Sequence, residues 1–372
     1  MNRQFVLILA VLVAVVGGGA LLVFKQQAAE KPAVSAQLGQ PLLKDLKASE
    51  VASIAIREPK GTLTLVKKDN RWTLAEKNGY AADLDKVTDL VVKAIELKVG
   101  QAEPLGEKDR ERLNLSDATA TRLSFKAADG KILAELLVGK KYFKQEPADP
   151  AKAQGDGRFV MLPADPKQVF IVSDPLRLAT VASTEWISKE GFAIEKVKTL
   201  EVKPAEGGEG YRIERNTDGV DWKLDKARAG EALDIARANA ASYSLNKVEI
   251  EDLAGDKAET GLDKPTVVSA TTFDGLAYTL RIGAPANDKY PVQVLVEGEP
   301  RRELEARKDE KPEDKEKREK AFAEETKRLA ERVAREKALK EFVLLVPRAK
   351  LADTLKKRAE LLVEKKKDAA KK

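Results

Sequence analysis

The sequence predicts an α+β protein: an N-terminal transmembrane helix followed by two tandem duplicated α+β units, mostly antiparallel sheet with packed helices. Three observations carry this. Phe5 to Phe24 is an uninterrupted apolar run. The rest alternates short period-two runs with isolated segments of helical period. One order of motifs also occurs twice. Val51-Ala52-Ser53-Ile54-Ala55-Ile56 leads to Trp72, a helix pattern, Asn114-Leu115-Ser116-Asp117 and a strand ending at Gly139. Val197-Lys198-Thr199-Leu200-Glu201-Val202 leads to Trp222, a helix pattern, Gly261-Leu262-Asp263-Lys264-Pro265 and a strand ending at Gly283. The offset stays near 146 to 150 through most of the match. A period this long implies a duplicated domain, not a solenoid unit. The expected organisation is an anchor at 1–24, a tether at 25–43, a first copy at 44–191 and a second at 192–372.

The apolar run is twenty residues long. That spans a hydrocarbon core of about 30 Å at 1.5 Å per residue. A cleavable signal has a shorter apolar core of about 7–15 residues, so a retained anchor is expected, against which stand the small residues at Ala28 and Ala29. Arg3 on one side and Lys25 and Lys31 on the other leave the positive-inside rule undecided. The very short N-terminal tail favours a cytoplasmic N-terminus, with the bulk of this single-pass inner-membrane protein in the periplasm. Ala10, Ala14 and Gly18 form a row of small residues that suits close helix pairing in lipid, or is simply the usual composition of such segments.

In the first copy, strands are expected at Val51–Arg57, Thr62–Lys67 and Arg71–Ala75, punctuated by Pro59-Lys60-Gly61 and Asp69-Asn70. Asp83 is a helix N-cap ahead of a stripe of Leu84, Val87, Val91 and Ile95. Thr121–Ala127 and Lys131–Val138 flank the turn Ala128-Asp129-Gly130. Strands follow at Arg158–Leu162 and Gln168–Val172, and Asp174-Pro175 reads as a helix start. The second copy repeats this. Its strands are Leu200–Val202, Tyr211–Arg215, Asp221–Leu224, Val267–Phe273, Ala277–Ile282, Val292–Val296 and Phe342–Val346. Its helix lies around Glu231–Leu245, and Pro347 begins a closing helix.

Residues 299–341 interrupt the second copy with 15 basic and 14 acidic residues. Glu313–Lys317, Glu316–Lys320, Glu324–Arg328, Glu331–Arg335 and Glu336–Lys340 are acid-before-base pairs at i,i+4, each adding about 0.2–0.5 kcal/mol to a helix. Phe322, Leu329 and Val333 give it a thin apolar stripe. This charged helical insertion is either a surface helix packed lightly on its own unit or a partner-binding arm. The tail Lys356–Lys372 has eight basic and three acidic residues. It is a frayed helix end or a segment touching anionic lipid.

Composition excludes several chemistries. The chain has no Cys and no His. Disulfides, Cys nucleophiles, Cys/His zinc sites, histidine-ligated haem and a Ser-His-Asp triad are therefore ruled out. The net charge of +6 is spread over 67 basic and 61 acidic residues, a solvated surface, not a nucleic-acid footprint. No phosphate-binding loop, dinucleotide fingerprint or Gly-x-Ser-x-Gly elbow is present. Asp83 and Asp85 are explained by capping. Asp149, Asp156 and Asp165 fit no ordered series of calcium ligands. Trp72 and Trp222 occupy matching strand positions as core anchors, with a stacking platform for sugar as the lesser alternative. No catalytic, cofactor or metal residue is assigned.

Trp72, Gly79-Tyr80-Ala81-Ala82-Asp83, Lys86-Val87 and Leu90, with Leu136-Leu137-Val138-Gly139 and Phe170-Ile171-Val172, resemble the bacterial domain-of-unknown-function family numbered four-three-four-zero. Ala81 stands where that family usually has Pro. The resemblance covers most of the exported part. It implies an N-terminal anchor and association, as an exported auxiliary component, with ABC-type transport systems of the gliding-motility kind. It implies no catalytic residues. The insertion 299–341 departs from the usual pattern.

The expected function is thus a non-enzymatic, membrane-anchored periplasmic auxiliary or scaffold subunit of a transport system. Its partners would be inner-membrane transporter or auxiliary subunits, with no nucleic acid and no cofactor. The alternatives are a carboxylate-based enzyme acting on envelope glycan and a periplasmic ligand-binding protein using a cleft between the copies.

Overall fold

The computed structural model describes residues 38–205, 207–255, 258–301 and 311–364. The expected anchor 1–24, its row of small residues, most of the tether and the end of the basic tail lie outside them. Among the described residues no helix is long and apolar enough to cross a membrane. The chain divides into two compact units, one ending at Trp186 and the other starting at Ile187. Each is a mixed α+β structure built on antiparallel sheet.

The first unit runs β1 (Ser53–Glu58), β2 (Gly61–Lys68), β3 (Arg71–Leu74), β4 (Tyr80–Ala81), α1 (Leu84–Glu96), β5 (Val99–Pro104), α2 (Glu107–Arg112), β6 (Thr121–Lys126), β7 (Ile132–Tyr142), β8 (Gly157–Leu162), β9 (Asp165–Val172) and α3 (Ser183–Trp186). Its nine described strands lie in the order β4-β3-β2-β1-β6-β7-β8-β9-β5. Period two places Ile54, Ile56, Leu63 and Leu65 on the buried face of β1 and β2. Each such side chain contributes about 1.5–3 kcal/mol by leaving water. The far half of the sheet is covered on both faces. Leu105, Leu113, Leu115 and Ala120 pack on Leu137, Met161 and Val169 in a second apolar cluster. That is why β7 is buried continuously from Leu136 to Gly139, with no alternation.

The second unit runs β10 (Glu190–Phe192), β11 (Val197–Lys203), β12 (Tyr211–Glu214), β13 (Lys223–Leu224), α4 (Ile235–Tyr243), β14 (Val248–Glu249), β15 (Asp252–Leu253), β16 (Thr266–Thr272), β17 (Leu276–Ile282), β18 (Lys289–Gly298), α5 (Pro312–Ala338), β19 (Leu344–Pro347) and α6 (Arg348–Leu351). Its main sheet has the order β13-β12-β11-β16-β17-β18-β19-β15, and β10 pairs with β14 beside it. From β3 to β5 in the first unit, and from β13 to β15 in the second, the strands are linked in the same order. The N-caps also agree. Asp83 accepts from the backbone N–H groups of Asp85 and Lys86, and Asp234 from those of Ala236 and Arg237. Lys67 faces Trp72 across β2 and β3. Trp222 directly precedes β13, whose Leu224 and Lys223 pair with Ile213 and Glu214.

Several sequence expectations need correction. Leu42 and Leu43, assigned to the tether, are buried, and Leu42 N–H donates to the Leu97 carbonyl, so 38–43 belongs to the first unit. On α1 the buried stripe is Val87, Leu90, Val91 and Ala94, while Leu84 is exposed. Leu84 sits at the first helical turn, where it leans past the end of the core. No helix starts at Asp174-Pro175. Asp174 instead accepts from Leu176 N–H, which has φ +47°, and this side-chain turn replaces the cap. The short helix comes later, at α3. Pro347 ends β19 and caps α6, which spans only four residues. The tail is no frayed end up to residue 364. Arg358 is buried, donating to Glu231 across 2.6 Å and to the carbonyl of Lys226, and Leu361 is fully buried.

Candidate functional site

The insertion supplies the site. Lys311 precedes Pro312, whose fixed φ suits the first helical position. The helix α5 then runs 27 residues, about 40 Å at 1.5 Å per residue. Only Val333 and Glu336 are buried. Phe322 and Leu329 are half-buried on the same stripe.

Glu336 is 3% exposed, although its i,i+4 spacing to Lys340 predicts a helix-surface pair. Instead Tyr278 on β17 donates its hydroxyl to Glu336 Oε2 at 2.7 Å, and Ala193 N–H donates to Oε1 at 2.9 Å. The reason is position: Glu336 follows Val333 by three residues and continues the apolar stripe into the sheet. Burial pushes the Glu336 carboxyl above its usual range despite these donors. Burial and the neighbouring carboxylate also raise the Tyr278 hydroxyl. Further ties to the body are Arg332 with Glu195 at 2.6 Å, Lys337 with Glu299 at 2.6 Å and Arg335 with Glu190 at 3.7 Å. Of the expected surface pairs, Glu316–Lys320 forms at 2.7 Å.

Lys196, with φ +47°, sits where two hollows meet. Its ammonium is 2.9 Å from Glu325 on α5 and 3.2 Å from Asp274 in the β16–β17 turn. The hydrogen bond to Glu325 raises its pKa, supported by Asp274. One hollow, about 340 Å³, lies between Lys196, Asp274 and the α5 residues Glu325, Arg328 and Arg332. The other, about 440 Å³, is walled by Glu195, Lys196, Arg215, Asp218, Tyr243 and Asn246.

Arg215 is the fixed point of the larger hollow. It is 6% exposed, and its guanidinium carbon lies 4.5 Å from the Trp222 ring centre and 5.9 Å from that of Phe273. These contacts hold the guanidinium plane. Its Nε donates to the Val197 carbonyl at 2.8 Å, and Nη2 pairs with Asp218 at 2.7 Å. Trp222 is buried and donates its indole N–H to Asn239 at 3.0 Å, whereas Trp72 is only half-buried. The two tryptophans therefore differ in depth.

The carboxylates singled out in the sequence have structural roles and do not converge. Asp83 caps α1, with Asp85 in its first turn. Asp149 accepts from Lys152 N–H and Asp156 from Lys144 N–H, while Asp165 starts β9. Among the described residues no group of three or more acidic side chains is placed to hold a metal ion. Sequence reasoning missed Lys196, Arg215, Tyr243 and the burial of Glu336. The signal for Glu336 was present in its spacing from Phe322, Leu329 and Val333. Lys196 carried none, because its role depends on a helix more than a hundred residues away.

Neither the curated proteins nor the solved structures compared with the chain gave a match. A family model does match, from Trp72 in β3 to Pro265 just before β16, which is just over half of the chain. The chain therefore belongs to the family described as Domain of unknown function (DUF4340).

Proposed function

We propose that this protein is a non-enzymatic, membrane-tethered auxiliary or scaffold subunit of an inner-membrane transport system, its bulk in the periplasm and its α5 helix offered to a partner. The observation that carries the reading is the mounting of α5. Glu336 and Val333 fix its C-terminal end to the sheet, and the ties to the body run from Glu325 to Lys337. The front turns, from Pro312 to Glu324, present alternating charge to solvent, with Arg318 and Phe322 half-buried among them. A rigid helix with an exposed charged face is a ready surface for a complementary partner. The apolar run Phe5–Phe24 supports the membrane tether. We also propose that the two units are duplicates, supported by their shared strand order, the paired N-caps Asp83 and Asp234, and the Lys67–Trp72 and Arg215–Trp222 correspondence.

The test is affinity capture of the full chain from membranes of its native host, beside a variant whose Glu313–Glu324 is replaced by a short Gly/Ser segment that keeps the Glu325 tie and the Glu336 anchor. Co-purification of a permease and its ATPase with the full chain alone, at equal melting temperature of both proteins, is the expected result. Equal recovery by both variants, or recovery of neither subunit, overturns it.

A further inference from the structure

The larger hollow in the second unit stands apart from the α5 reading. We infer that it is a binding site for a neutral polyhydroxylic ligand: a sugar ring or the end of a glycan. The first argument is charge. Its walls carry two acidic groups, Glu195 and Asp218, and two basic ones, Lys196 and Arg215. Every one already has a partner: Arg215 with Asp218, Lys196 with Asp274 and Glu325, Glu195 with Arg332. An anion would bring uncompensated negative charge to a wall whose two cations are already neutralised by carboxylates. A hydroxylated neutral molecule breaks nothing. A guanidinium has five donors and a carboxylate about four acceptor positions. Arg215 uses Nε on Val197 and Nη2 on Asp218, so donors remain, and Asp218 keeps acceptor capacity.

The second argument is shape and rigidity. The space, about 440 Å³, lies within the roughly 300–1,000 Å³ typical of small-molecule sites. Arg215, nine-tenths buried and stacked on Trp222, presents its donors without further ordering. The third is the rim. Tyr243, at the end of α4, is 56% exposed, the most exposed aromatic side chain described, and it lines this hollow. An exposed ring beside paired donors and acceptors suits the C–H face of a sugar, with Asn246 one turn on to bond hydroxyls with both ends of its amide.

The test is titration of the full chain, in detergent where needed, with glucose, N-acetylglucosamine and its trimer. Acetate and inorganic phosphate are titrated in parallel. Expected is saturable binding of at least one sugar, unaffected by either anion. Tyr243→Ala and Asn246→Ala should each weaken it about tenfold or more, as loss of one stacking or one hydrogen-bonding group does, with melting temperature unchanged. Binding that persists in both variants, saturation by acetate or phosphate in place of sugar, or no binding by any probe overturns the assignment. Because α5 is untouched by either substitution, capture of transporter subunits should survive in both, which separates this failure from that of the partner reading.

Discussion

Tyr278 on β17 and Glu336 on α5 meet through a 2.7 Å hydrogen bond inside the second unit. The contact joins a helix of almost continuous charge to the sheet through one of its two buried side chains. A buried acceptor that loses its donor keeps its desolvation penalty. Tyr278→Phe should therefore destabilise the second unit by about 1–3 kcal/mol, read by denaturant unfolding. Hydrogen exchange should speed up in Val333–Ala338. A neutral result would mean the contact contributes nothing to holding α5.

The pH dependence has a definite sign. Glu336 is raised above its ordinary 4.5 by burial. Between 4.5 and that higher folded value, the folded state holds a proton that the unfolded state has lost. Stability from this group is therefore full below about 4.5 and falls as pH rises through the window. Glu336→Gln removes the titration. Relative to that variant, the wild type should gain stability as pH is lowered from 7 towards 4.5. Glu231 behaves oppositely, since the Arg358 hydrogen bond lowers it: its contribution is present above 4.5 and lost on acidification. Glu231→Gln should thus cost least at low pH. Parallel unfolding curves across pH check both signs.

Gly139, inside β7, and Gly283, directly after β17, sit where no side chain fits. A Cβ at Gly139 would lie 2.4 Å from the Leu113 carbonyl oxygen, and one at Gly283 would lie 1.8 Å from that of Thr260. Alanine at either should cost about 1–3 kcal/mol or more through forced backbone shifts. Gly61→Ala, with nothing within 4 Å, should change stability by no more than about 0.5 kcal/mol. Equal melting temperatures for all three would contradict the close approach.

Asp83→Ala and Asp234→Ala each remove a side chain that accepts two backbone N–H groups at a helix start. Each should lower stability by about 0.5–2 kcal/mol. Ser at either position should recover most of the loss.

The elements legible in the sequence were those with local causes. Asp83 announced α1, Asp129-Gly130 its hairpin, and alternation located β1, β2, β6 and β16. What stayed hidden depends on distant packing. β5 has no alternating pattern and forms because Gln101 to Pro104 find the edge offered by β9. Asp174 had the chemistry of a cap but serves a turn, because a cap and a side-chain turn use the same carboxylate bond. Arg358 lay in a run of basic residues, and only the partners Glu231, Asp225 and Lys226 make it a buried group. The larger hollow was illegible for the same reason: Lys196, Arg215 and Tyr243 are far apart in sequence and meet only when β11, β12 and α4 are assembled.

The placement of β5 has a consequence for synthesis. Val99 leaves the ribosome long before Val172, yet the two strands pair at the far edge of the first sheet. β15 likewise precedes its neighbour β19 by the whole of β16, β17, β18 and α5. Neither sheet can be laid down from one edge to the other as the chain emerges. In each unit a strand must wait for its neighbour in the sheet until the last strand of that sheet arrives, so closure is a late, long-range event. A chain halted before Val172 carries an orphan edge ready to pair with another molecule. The completeness of each unit, more than the formation of any hairpin within it, therefore decides when its sheet edge is covered.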